Sequence, residues 1–552
     1  MARGRGPHEA FDYVIVGGGS AGCVLANRLS EDRGARVLLL EAGARDWSPL
    51  FRVPIGTMRI GKRYDWSYQA EPDPTRMDRV ATFAAGKVLG GGSSVNAMFW
   101  ARGNPADYDR WAAEGAPGWS WSEVLPYFKK LECFDGGGDD YRGGRGLQHV
   151  SRLRVGHEMT DRFVEGAVEA GHQRLTDFNG AEQVGVSYSQ YSQKNGLRDS
   201  TSSAYLRPAR WRKNLTVRTH AFAGRIVIDG GRATAVVYRW RGQTRQAHAE
   251  REIVVSTGAL VSPKLLMLSG IGPADQLSAR GIPTLVDSPF VGQNLQEHPY
   301  APMMYRVNVP TLNLDTTSPK AVVRHGLNFL LFRRGPVTSG GVHAVVFARS
   351  DPALDVPQTE ILFSPFGIEG QTVSDDEGST TEVQHDVHDM QLAASASVTV
   401  YPSVLHPYSR GEVRLRSSRP EDPPVIDFRM FDDRRDVEAL IRSCQAVREI
   451  FGTDALKPYV INEQLPGEAV NTPDEFEGFF KMASFGGFHP VSTCKMGTGE
   501  DAVVGPDLRV KGVESLRVAD ASVIPSLPSG HTNAAVIMIA EKASDLIRKT
   551  VT

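Results

Sequence analysis

The stretch FDYVIVGGGSAGCVLANRLSEDRGARVLLLEAG, from Phe11 to Gly43, decides the fold that we predict for this chain. An apolar, β-branched run that ends at Val16 meets a glycine-rich turn, and a helical pattern follows. A second apolar run, from Val37 to Leu40, then ends in Glu41. This order of elements predicts a complete β-α-β unit.

The glycines of this unit have the spacing of a phosphate-binding turn. Gly17 permits the tight turn, Gly19 lets a pyrophosphate approach the backbone, and Gly22 lets helix and strand pack closely. Glu41 can then accept hydrogen bonds from both ribose hydroxyls of an adenosine. A glycine triplet alone is weak evidence, but strand, helix, second strand and terminal acid together predict a dinucleotide site. The spacing does not say which dinucleotide binds.

The composition bounds the class of protein. A chain of 552 residues is too long for one ordinary core, so we expect two interleaved or consecutive domains. Its 41% hydrophobic and 23% charged residues are typical of soluble globular proteins, and a net charge of −2 gives no general attraction to nucleic acid. No apolar run reaches the roughly 18 residues of a transmembrane helix. Without a secretory signal pattern either, we expect a cytoplasmic monomer or homodimer.

Cysteine and histidine spacings do not predict a metal site. Four scattered cysteines form no CxxC pair: Cys23, Cys133, Cys444 and Cys494. The acidic loop from Asp375 to Glu377 and the cluster from His385 to Asp389 invite a metal hypothesis. Histidines three apart outside a regular element rarely converge, so we interpret this region as a solvated loop.

Two further segments carry patterns on the N-terminal side of the chain. Gly90 to Gly92 form a second place where the backbone can approach a flat or anionic group, although a purely structural turn explains them equally well. Residues 215–240 alternate and turn at Asp229 to Gly231, which predicts a β-hairpin or meander.

The pattern changes between about residues 302 and 484. Short alternating segments separated by Pro, Gly and Asp predict a mainly antiparallel sheet, covered by helices near 318–332 and 436–451. The alternating segments are Glu360 to Phe363, Gln391 to Val400 and Glu412 to Leu415. Towards the end of the chain, Leu516 to Pro525 is strand-like. The apolar run from Ala534 to Ala540 predicts a deeply buried helix.

Four separated segments resemble the glucose-methanol-choline (GMC) oxidoreductases, a family of FAD-dependent alcohol-oxidising enzymes. They are GGGSAG from Gly17, GKVLGGGSSVN from Gly86, STGALVSPKLLMLSGIG from Ser256, and a C-terminal group with FHPVSTCKMG, DASVIP and HTNAAVIMIAEKA. The likeness spans nearly the whole chain. It implies an α/β fold in which a Rossmann-like FAD-binding domain is interleaved with a substrate domain containing a mainly antiparallel sheet covered by helices.

The resemblance also implies domain boundaries and a cofactor site. The FAD-binding parts would be residues 8–155, 195–300 and 485–552, and the substrate parts residues 156–194 and 301–484. The implied FAD contacts are Gly17, Gly19, Ser20, Ala21, Gly22, Glu41, Ala42, Gly86, Val88, Gly91, Ser93, Asn96, Ala97, Met98, Ala221, Gly258, Asp520, Ala521, Asn533 and Ala534. Members with covalent flavin carry a histidine where this chain has Val95, so we expect noncovalent FAD.

Oxidising an alcohol requires a base for the hydroxyl proton and an acceptor for the hydride. The resemblance places the base at His489 and a hydrogen-bond donor to the developing alkoxide at Asn533. Asn533 could instead be only the N-cap of the following helix, and the two roles are compatible. His531 is the rival to Asn533, because some members use a second histidine.

The sequence says less about the substrate. Aromatic residues could line an apolar pocket for benzylic, furanic or other primary alcohols: Phe99, Trp100, Phe363, Phe366 and Phe488. We expect a pocket formed by Phe488, His489 and Asn533. No carboxylate is evident that would hold a quaternary ammonium, which disfavours choline.

Several functions stay open. The leading one is FAD-dependent oxidation of a primary alcohol to an aldehyde, with electrons passing to dioxygen or a quinone-like acceptor. The others are a flavin-containing hydroxynitrile lyase, a choline or aliphatic-alcohol dehydrogenase of the same family, a nicotinamide-dependent dehydrogenase, and a protein that keeps the nucleotide only structurally.

Overall fold

The β-α-β unit at the start of the chain forms as predicted in the computed structural model, which describes residues 9–315, 318–350, 354, 356–369 and 391–549. The strand Glu9–Val16 leads through the glycine turn into a helix at Ser20–Leu29, and the chain returns as the strand Val37–Leu40. The two strands pair in parallel, with Tyr13 opposite Val37. The segments at 375–377 and 385–389, which we interpreted as a solvated loop rather than a metal site, lie outside the described residues.

This unit belongs to a seven-stranded sheet. Six of its strands follow one another in space in the order Leu215–Arg218, Val37–Leu40, Glu9–Val16, Gln243–Val255, Arg232–Trp240 and Ala221–Asp229. The seventh strand, Leu516–Val518, pairs with the end of Gln243–Val255. The pairings around Glu9–Val16 are parallel, whereas the last two strands of the path add as an antiparallel hairpin. Segments from the start, middle and end of the chain therefore share one sheet.

A second, eight-stranded sheet holds most of the remaining strands. Its main path is Val460–Leu465, Met303–Val307, Ser397–Val404, Thr359–Ser364, Ala344–Ala348, Gly185–Tyr188, with Pro299–Tyr300 and Phe485–Gly486 attached at its side. All of its pairings are antiparallel, which confirms the predicted sheet. A three-stranded sheet has Gln148–Arg152 in the middle, between Glu132–Phe134 and Gln190–Tyr191. Two-stranded ladders elsewhere pair Tyr68–Gln69 with Thr82–Phe83, Gln193–Lys194 with Leu197–Arg198, Ile271–Gly272 with Val286–Asp287, Ile368–Glu369 with Gln391–Leu392, and Glu412–Arg414 with Val425–Asp427.

Helices cover both sheets. In chain order they are α1 Ser20–Leu29, α2 Gly92–Val95, α3 Pro105–Ala113, α4 Trp121–Leu131, α5 Glu158–Glu169, α6 Arg207–Ala209, α7 Ser262–Leu268, α8 Ala274–Ser278, α9 Leu312–Asp315, α10 Pro319–Phe332, α11 Arg434–Phe451, α12 Pro473–Ala483 and α13 Thr532–Lys549. Helix α13 packs against α1 and α4, and α5 and α11 cover the antiparallel sheet. The run Ala534 to Ala540 is buried, as predicted. Among the described helices, none combines the length and apolarity needed to cross a bilayer.

Four local predictions were wrong. The strand predicted at Glu412 to Leu415 pairs with Val425–Asp427 and lies outside the eight-stranded sheet. Leu215–Arg218 is not part of the predicted hairpin, because it pairs in parallel with Val37–Leu40 at the other edge of the sheet. The predicted strand from Gln391 to Val400 is interrupted, since regular pairing resumes only at Ser397. The strand predicted to reach Pro525 ends at Val518, because the Asp520 carboxylate accepts a hydrogen bond from the Ser522 N–H (2.8 Å) and starts a 3₁₀ turn.

Candidate active site

The first glycine turn leaves no room for side chains on its inner side. A Cβ on Gly17, whose φ is +102°, would lie 2.4 Å from the Ser256 carbonyl oxygen, and one on Gly22 would lie 1.8 Å from the Gly17 carbonyl oxygen. A Cβ on Gly19 would meet no atom closer than the Ser256 oxygen at 4.0 Å, and Gly19 lines a large cavity. The turn and the start of α1 thus form an open cradle of the kind that binds pyrophosphate.

The Glu41 carboxylate is hydrogen-bonded to the backbone of this turn. Its Oε2 accepts a hydrogen bond from the Gly18 N–H (2.7 Å) and its Oε1 accepts one from the Gly43 N–H (2.6 Å). Burial raises the pKa of Glu41 to about 7, although the two N–H groups oppose that shift. Each carboxylate oxygen can accept more than one hydrogen bond, so Glu41 keeps capacity for ribose hydroxyls.

The second glycine loop packs directly on the first. Gly91 has a φ of +50°, and a Cβ there would lie 2.8 Å from the Gly19 Cα. The Gly90 N–H donates to the Gly18 carbonyl at 2.7 Å. Of the two interpretations of this loop, contact with a bound group gains support, because Gly86 and Gly91 both line the cavity.

Arg198, which no pattern in the sequence indicated, is buried under this loop. Its Nη1 donates to the Asn96 Oδ1 (2.7 Å) and to the Ser93 carbonyl (3.2 Å). Burial lowers the pKa of Arg198 to about 9, so the guanidinium stays charged at neutral pH. Its Nε and Nη2 have no hydrogen-bond partner among the described residues. The arginine therefore holds the loop in place and leaves a buried positive charge beside the cavity.

The cavity has a volume of about 1370 Å³, above the roughly 300–1,000 Å³ of common small-ligand pockets. Most of the expected cofactor contacts line it: Gly17, Gly19, Ser20, Ala21, Glu41, Ala42, Gly86, Gly91, Asn96, Ala97, Met98, Ala221, Gly258, Asp520, Ala521 and Asn533. Four others lie behind its wall: Gly22, Val88, Ser93 and Ala534. These four support the surface rather than form it.

One end of the cavity is aromatic. Its walls there include Phe99, Tyr300, Phe366, Tyr401, Phe485 and Phe488. Trp100 and Phe363, the other two aromatic candidates, are not in this wall. The Trp100 Nε1–H donates to the buried Glu132 carboxylate at 3.0 Å, and Phe363 stacks on Phe163 with ring centroids 4.4 Å apart.

His489 lies in this aromatic region and is hydrogen-bonded to a second histidine. Its Nδ1 lies 3.1 Å from the Nδ1 of His298, whose Nε2 lies 2.9 Å from the Leu405 carbonyl oxygen. A carbonyl can only accept, so the His298 Nε2 carries a hydrogen and its Nδ1 accepts from the His489 Nδ1–H. The proton-accepting nitrogen of His489 is therefore Nε2.

Both imidazoles are neutral at pH 7. Burial lowers the pKa of His298 to about 3. Burial, followed by the proximity of His531 and His298, lowers the pKa of His489 well below its usual value. A neutral imidazole can act as a base, so the environment keeps His489 in the form that accepts a proton.

Glu297 fixes the backbone of His489. Its carboxylate accepts hydrogen bonds from the His489 N–H (2.8 and 3.0 Å) and from the His298 N–H (2.9 Å). Burial raises the pKa of Glu297 to about 8. Phe488, just before His489, has a φ of +63°, an uncommon conformation for a residue with a bulky side chain. The surrounding hydrogen bonds hold this turn and aim the His489 ring.

His531 is the ring that lies against His489. Their centroids are 4.4 Å apart, and the His531 ring is 4.6 Å from that of Phe99. The His531 Nε2 lies 3.5 Å from the Oε2 of Glu360, which also accepts a hydrogen bond from the Tyr300 hydroxyl at 2.6 Å. Burial by itself would raise the pKa of Glu360, but His531 and Tyr300 outweigh it and lower that pKa. Glu360 is thus a buried anion behind His531.

Asn533 also lines the cavity but has a different partner. Helix α13 begins at Thr532, so the interpretation of Asn533 as an N-cap was wrong. Its Oδ1 accepts a hydrogen bond from the Ser20 hydroxyl at 2.7 Å, which joins the first turns of α13 and α1. The N-terminal ends of both helices face the cavity, and their dipoles favour negative charge there.

Comparisons with known proteins agree with this geometry. The family model described as GMC oxidoreductase matches residues 11–300 with its N-terminal part and 407–540 with its C-terminal part. The oxygen-dependent choline dehydrogenase of Sinorhizobium medicae is 39% identical over 545 residues, which cover 97% of this chain and 95% of that protein.

Solved structures share the fold over the whole chain. Pyridoxine 4-oxidase from "Mesorbium loti" is 31% identical with a TM-score of 0.86, covering 97% of this chain and 98% of that one. An Aspergillus oryzae formate oxidase variant, from work on FAD modification, is 27% identical with a TM-score of 0.89 and 99% coverage of both chains.

The residues present fit FAD. The glycine cradle is open at Gly19, Glu41 has spare acceptor capacity, and two helix N-termini face one cavity that is large enough for a dinucleotide and a small substrate. The chain therefore belongs to the GMC oxidoreductase family and is an FAD-dependent enzyme that oxidises CH–OH donors.

Proposed function

We propose that this enzyme oxidises a primary alcohol with an apolar or aromatic body to the corresponding aldehyde. The observation that carries the proposal is the pair of imidazoles, His489 and His531, set 4.4 Å apart in an aromatic wall. His489 accepts the hydroxyl proton on Nε2, and His531 holds the substrate oxygen. FAD, when bound, supplies the hydride acceptor.

Asn533 was predicted to hold that oxygen, and we now give this role to His531. The Asn533 Oδ1 accepts a hydrogen bond from Ser20, which leaves the amide N–H₂ free to donate, but His531 is the side chain that lies against the ring of His489. We propose that Asn533 instead positions the cofactor at the start of α13. Phe488 lines the cavity next to His489 in sequence, which supports its proposed role as a wall of the substrate pocket.

We propose that the predicted residues that line the cavity contact the cofactor, and that Gly22, Val88, Ser93 and Ala534 support them from behind. Gly17, Gly19 and Glu41 would hold the ADP half, and the loop from Gly90 to Asn96 would face the flavin ring. Val95 offers no nucleophile, so we propose noncovalent FAD. Acid precipitation should leave the yellow flavin in the supernatant, and flavin that stays in the protein pellet would contradict this assignment.

The two sheets support the proposed domain division. Residues 8–155, 195–300 and 485–552 would form the FAD-binding domain around the seven-stranded sheet, and residues 156–194 and 301–484 the substrate domain around the antiparallel sheet. Strands Pro299–Tyr300 and Phe485–Gly486 pair with each other as part of the antiparallel sheet, which supports boundaries a few residues from those predicted, before Pro299 and after Gly486. Phe366 and Tyr401 of the substrate parts line the same cavity as the glycine loops, so both domains would contribute to its wall.

Choline is the second candidate, favoured by the 39% identity to a choline dehydrogenase. Tyr300, Tyr401 and Phe485 form an aromatic cluster, with Phe485 5.7 and 5.9 Å from the two tyrosine rings, and such faces attract quaternary ammonium groups. The one carboxylate described beside an imidazole of this pair, that of Glu360, lies behind His531 and Tyr300 and does not itself line the cavity. An uncharged alcohol therefore fits this wall better.

Anaerobic bleaching of the yellow enzyme separates these functions. We expect benzyl alcohol to reduce the flavin faster than choline does at equal concentration. Hydrogen peroxide on readmission of air would identify dioxygen as acceptor, and its absence would favour a quinone-like acceptor. Faster bleaching by choline would reverse the substrate proposal, and cyanohydrin cleavage without bleaching would indicate a lyase.

A further inference from the structure

Helix α10, Pro319–Phe332, presents an unusual number of apolar side chains to the outside. Val322, Val323, Leu327, Leu330, Leu331 and Phe332 are each between 52% and 70% exposed. Only Ala321 and Phe329 of this helix are buried. Contiguous exposed apolar residues on a globular protein mark an interaction surface.

Five of these six side chains share one face of the helix, and Phe332, at the end of the helix, projects from the other side. At 100° per residue, the five from Val322 to Leu331 cover about half of the circumference, and Ala321 and Phe329 lie on the opposite half. Lys320 and Arg324 border the apolar face at one edge. The helix is therefore amphipathic with its apolar side turned away from the protein.

The charge around this face is of one sign. From Ser318 to Gly335 the chain contains four basic residues, Lys320, Arg324, Arg333 and Arg334, and no Asp or Glu. The chain as a whole has a net charge of −2, so this positive segment is a local feature. A helix with apolar and basic sides suits the headgroup region of an anionic bilayer.

The same helix reaches the mouth of the active-site cavity. Val322 and His325 line that cavity, next to Val337 and Leu312. Ile55, at 37% exposure, lies on the same cavity and in the neighbouring 3₁₀ segment Pro54–Arg59. An apolar surface that continues into a cavity can pass apolar molecules directly between a bilayer and the site.

We propose that α10 docks the enzyme onto the surface of an anionic lipid bilayer. Its 14 residues are too few to cross a bilayer, which takes about 20 residues, so the helix would lie in the interface. A second copy of the chain is a poorer occupant. A two-fold contact on this face would bring the basic residues of both helices into one interface, and residues 318–335 contain no Asp or Glu to pair with them.

Flotation of the FAD-loaded full chain with lipid vesicles tests the proposal. We expect it to float with vesicles of phosphatidylcholine mixed with phosphatidylglycerol and to bind much less to phosphatidylcholine alone. The double variant Leu327→Asp/Leu331→Asp should lower the bound fraction at least about tenfold. Lys320→Glu/Arg324→Glu should do the same on anionic vesicles only, and added salt should weaken wild-type binding.

The controls separate docking from folding and from catalysis. Trp211→Asp removes another exposed aromatic side chain (81% exposed) outside α10 and should float like the wild type. All variants should keep bound flavin and turnover of a water-soluble alcohol, because none of these side chains lines the catalytic cavity. Wild-type protein that binds to neither kind of vesicle would overturn the proposal. So would a dimer in solution that the Leu327→Asp/Leu331→Asp variant dissociates.

Discussion

At the scale of single residues, the proposed base, His489, must be neutral to accept a proton. Its pKa is lowered by burial and by two neighbouring histidines, so the reactive neutral form dominates at and above neutral pH. We expect the rate of anaerobic flavin reduction to be constant above about pH 6.5 and to fall only as pH drops further. Stopped-flow reduction across this range checks the prediction, and a rate that climbs through pH 8 would contradict it.

His298 acts through His489, as a positioning residue. It accepts the His489 Nδ1–H at 3.1 Å and so leaves Nε2 free to take a proton. His298→Leu should lower kcat by about tenfold or more, because the tautomer of His489 is no longer fixed. KM should change little, because the residues that line the substrate pocket are unchanged. His298→Gln, whose side-chain oxygen can accept the same hydrogen bond, should restore part of the loss. Equal kcat values in both variants would contradict this role.

Sequence and resemblance found some of these residues and missed others for a physical reason. His489 lies in a local segment whose neighbours are recognisable, so it could be predicted. His298, Glu297 and Arg198 act from distant parts of the chain and carry no local pattern. The choice between Asn533 and His531 depended on where α13 begins, which the apolar pattern alone does not specify.

At the scale of elements, the glycine turn ties α1 to the sheet. Gly22→Ala would place a Cβ 1.8 Å from the Gly17 carbonyl oxygen, so helix and strand must separate. We expect a loss of about 1–3 kcal/mol in unfolding free energy and a lower flavin-to-protein ratio. Thermal unfolding and the flavin absorbance of the purified protein measure both.

Gly478→Ala is the matched control, in the interior of another helix. A Cβ on Gly478 would meet no atom within 4 Å, so the change should stabilise α12 by about 0.5–1 kcal/mol and leave flavin content unchanged. Equal effects of the two substitutions would show that helix propensity, not close packing at the turn, governs this site.

Sequence patterns are enough to predict an element when all of its parts are close together in the chain. The first β-α-β unit is local, so its strands, turn and helix could all be predicted from 33 consecutive residues. The strand Leu215–Arg218 was assigned to the wrong partner because its pairing with Val37–Leu40 joins segments far apart in the chain. Alternation predicts that a strand exists but not which edge it joins.

At the scale of the whole molecule, buried histidines make stability depend on pH. Burial lowers the pKa of His343 to about 3, and its ring contacts the hydroxyls of Ser339 (2.8 Å) and Thr160 (3.4 Å). The unfolded chain takes up a proton near pH 6.5, whereas the folded chain resists it. Stability is therefore full above pH 6.5 and declines as pH falls towards 3.

His343→Gln should flatten part of this decline. We expect the variant to lose about 1–3 kcal/mol less between pH 7 and pH 4.5 than the wild type. Denaturant unfolding at both pH values measures the difference. The exposed His220→Asn serves as control and should follow the wild type. Parallel curves for His343→Gln and wild type would rule out this residue as a source of acid instability.

The central claim is that His489 removes the proton of the alcohol being oxidised. Anaerobic stopped-flow reduction of the flavin by benzyl alcohol, compared between the wild type and His489→Ala, tests it most directly. We predict a rate at least about a hundredfold lower in the variant, with its flavin content unchanged. An equal rate in the two proteins would contradict the account.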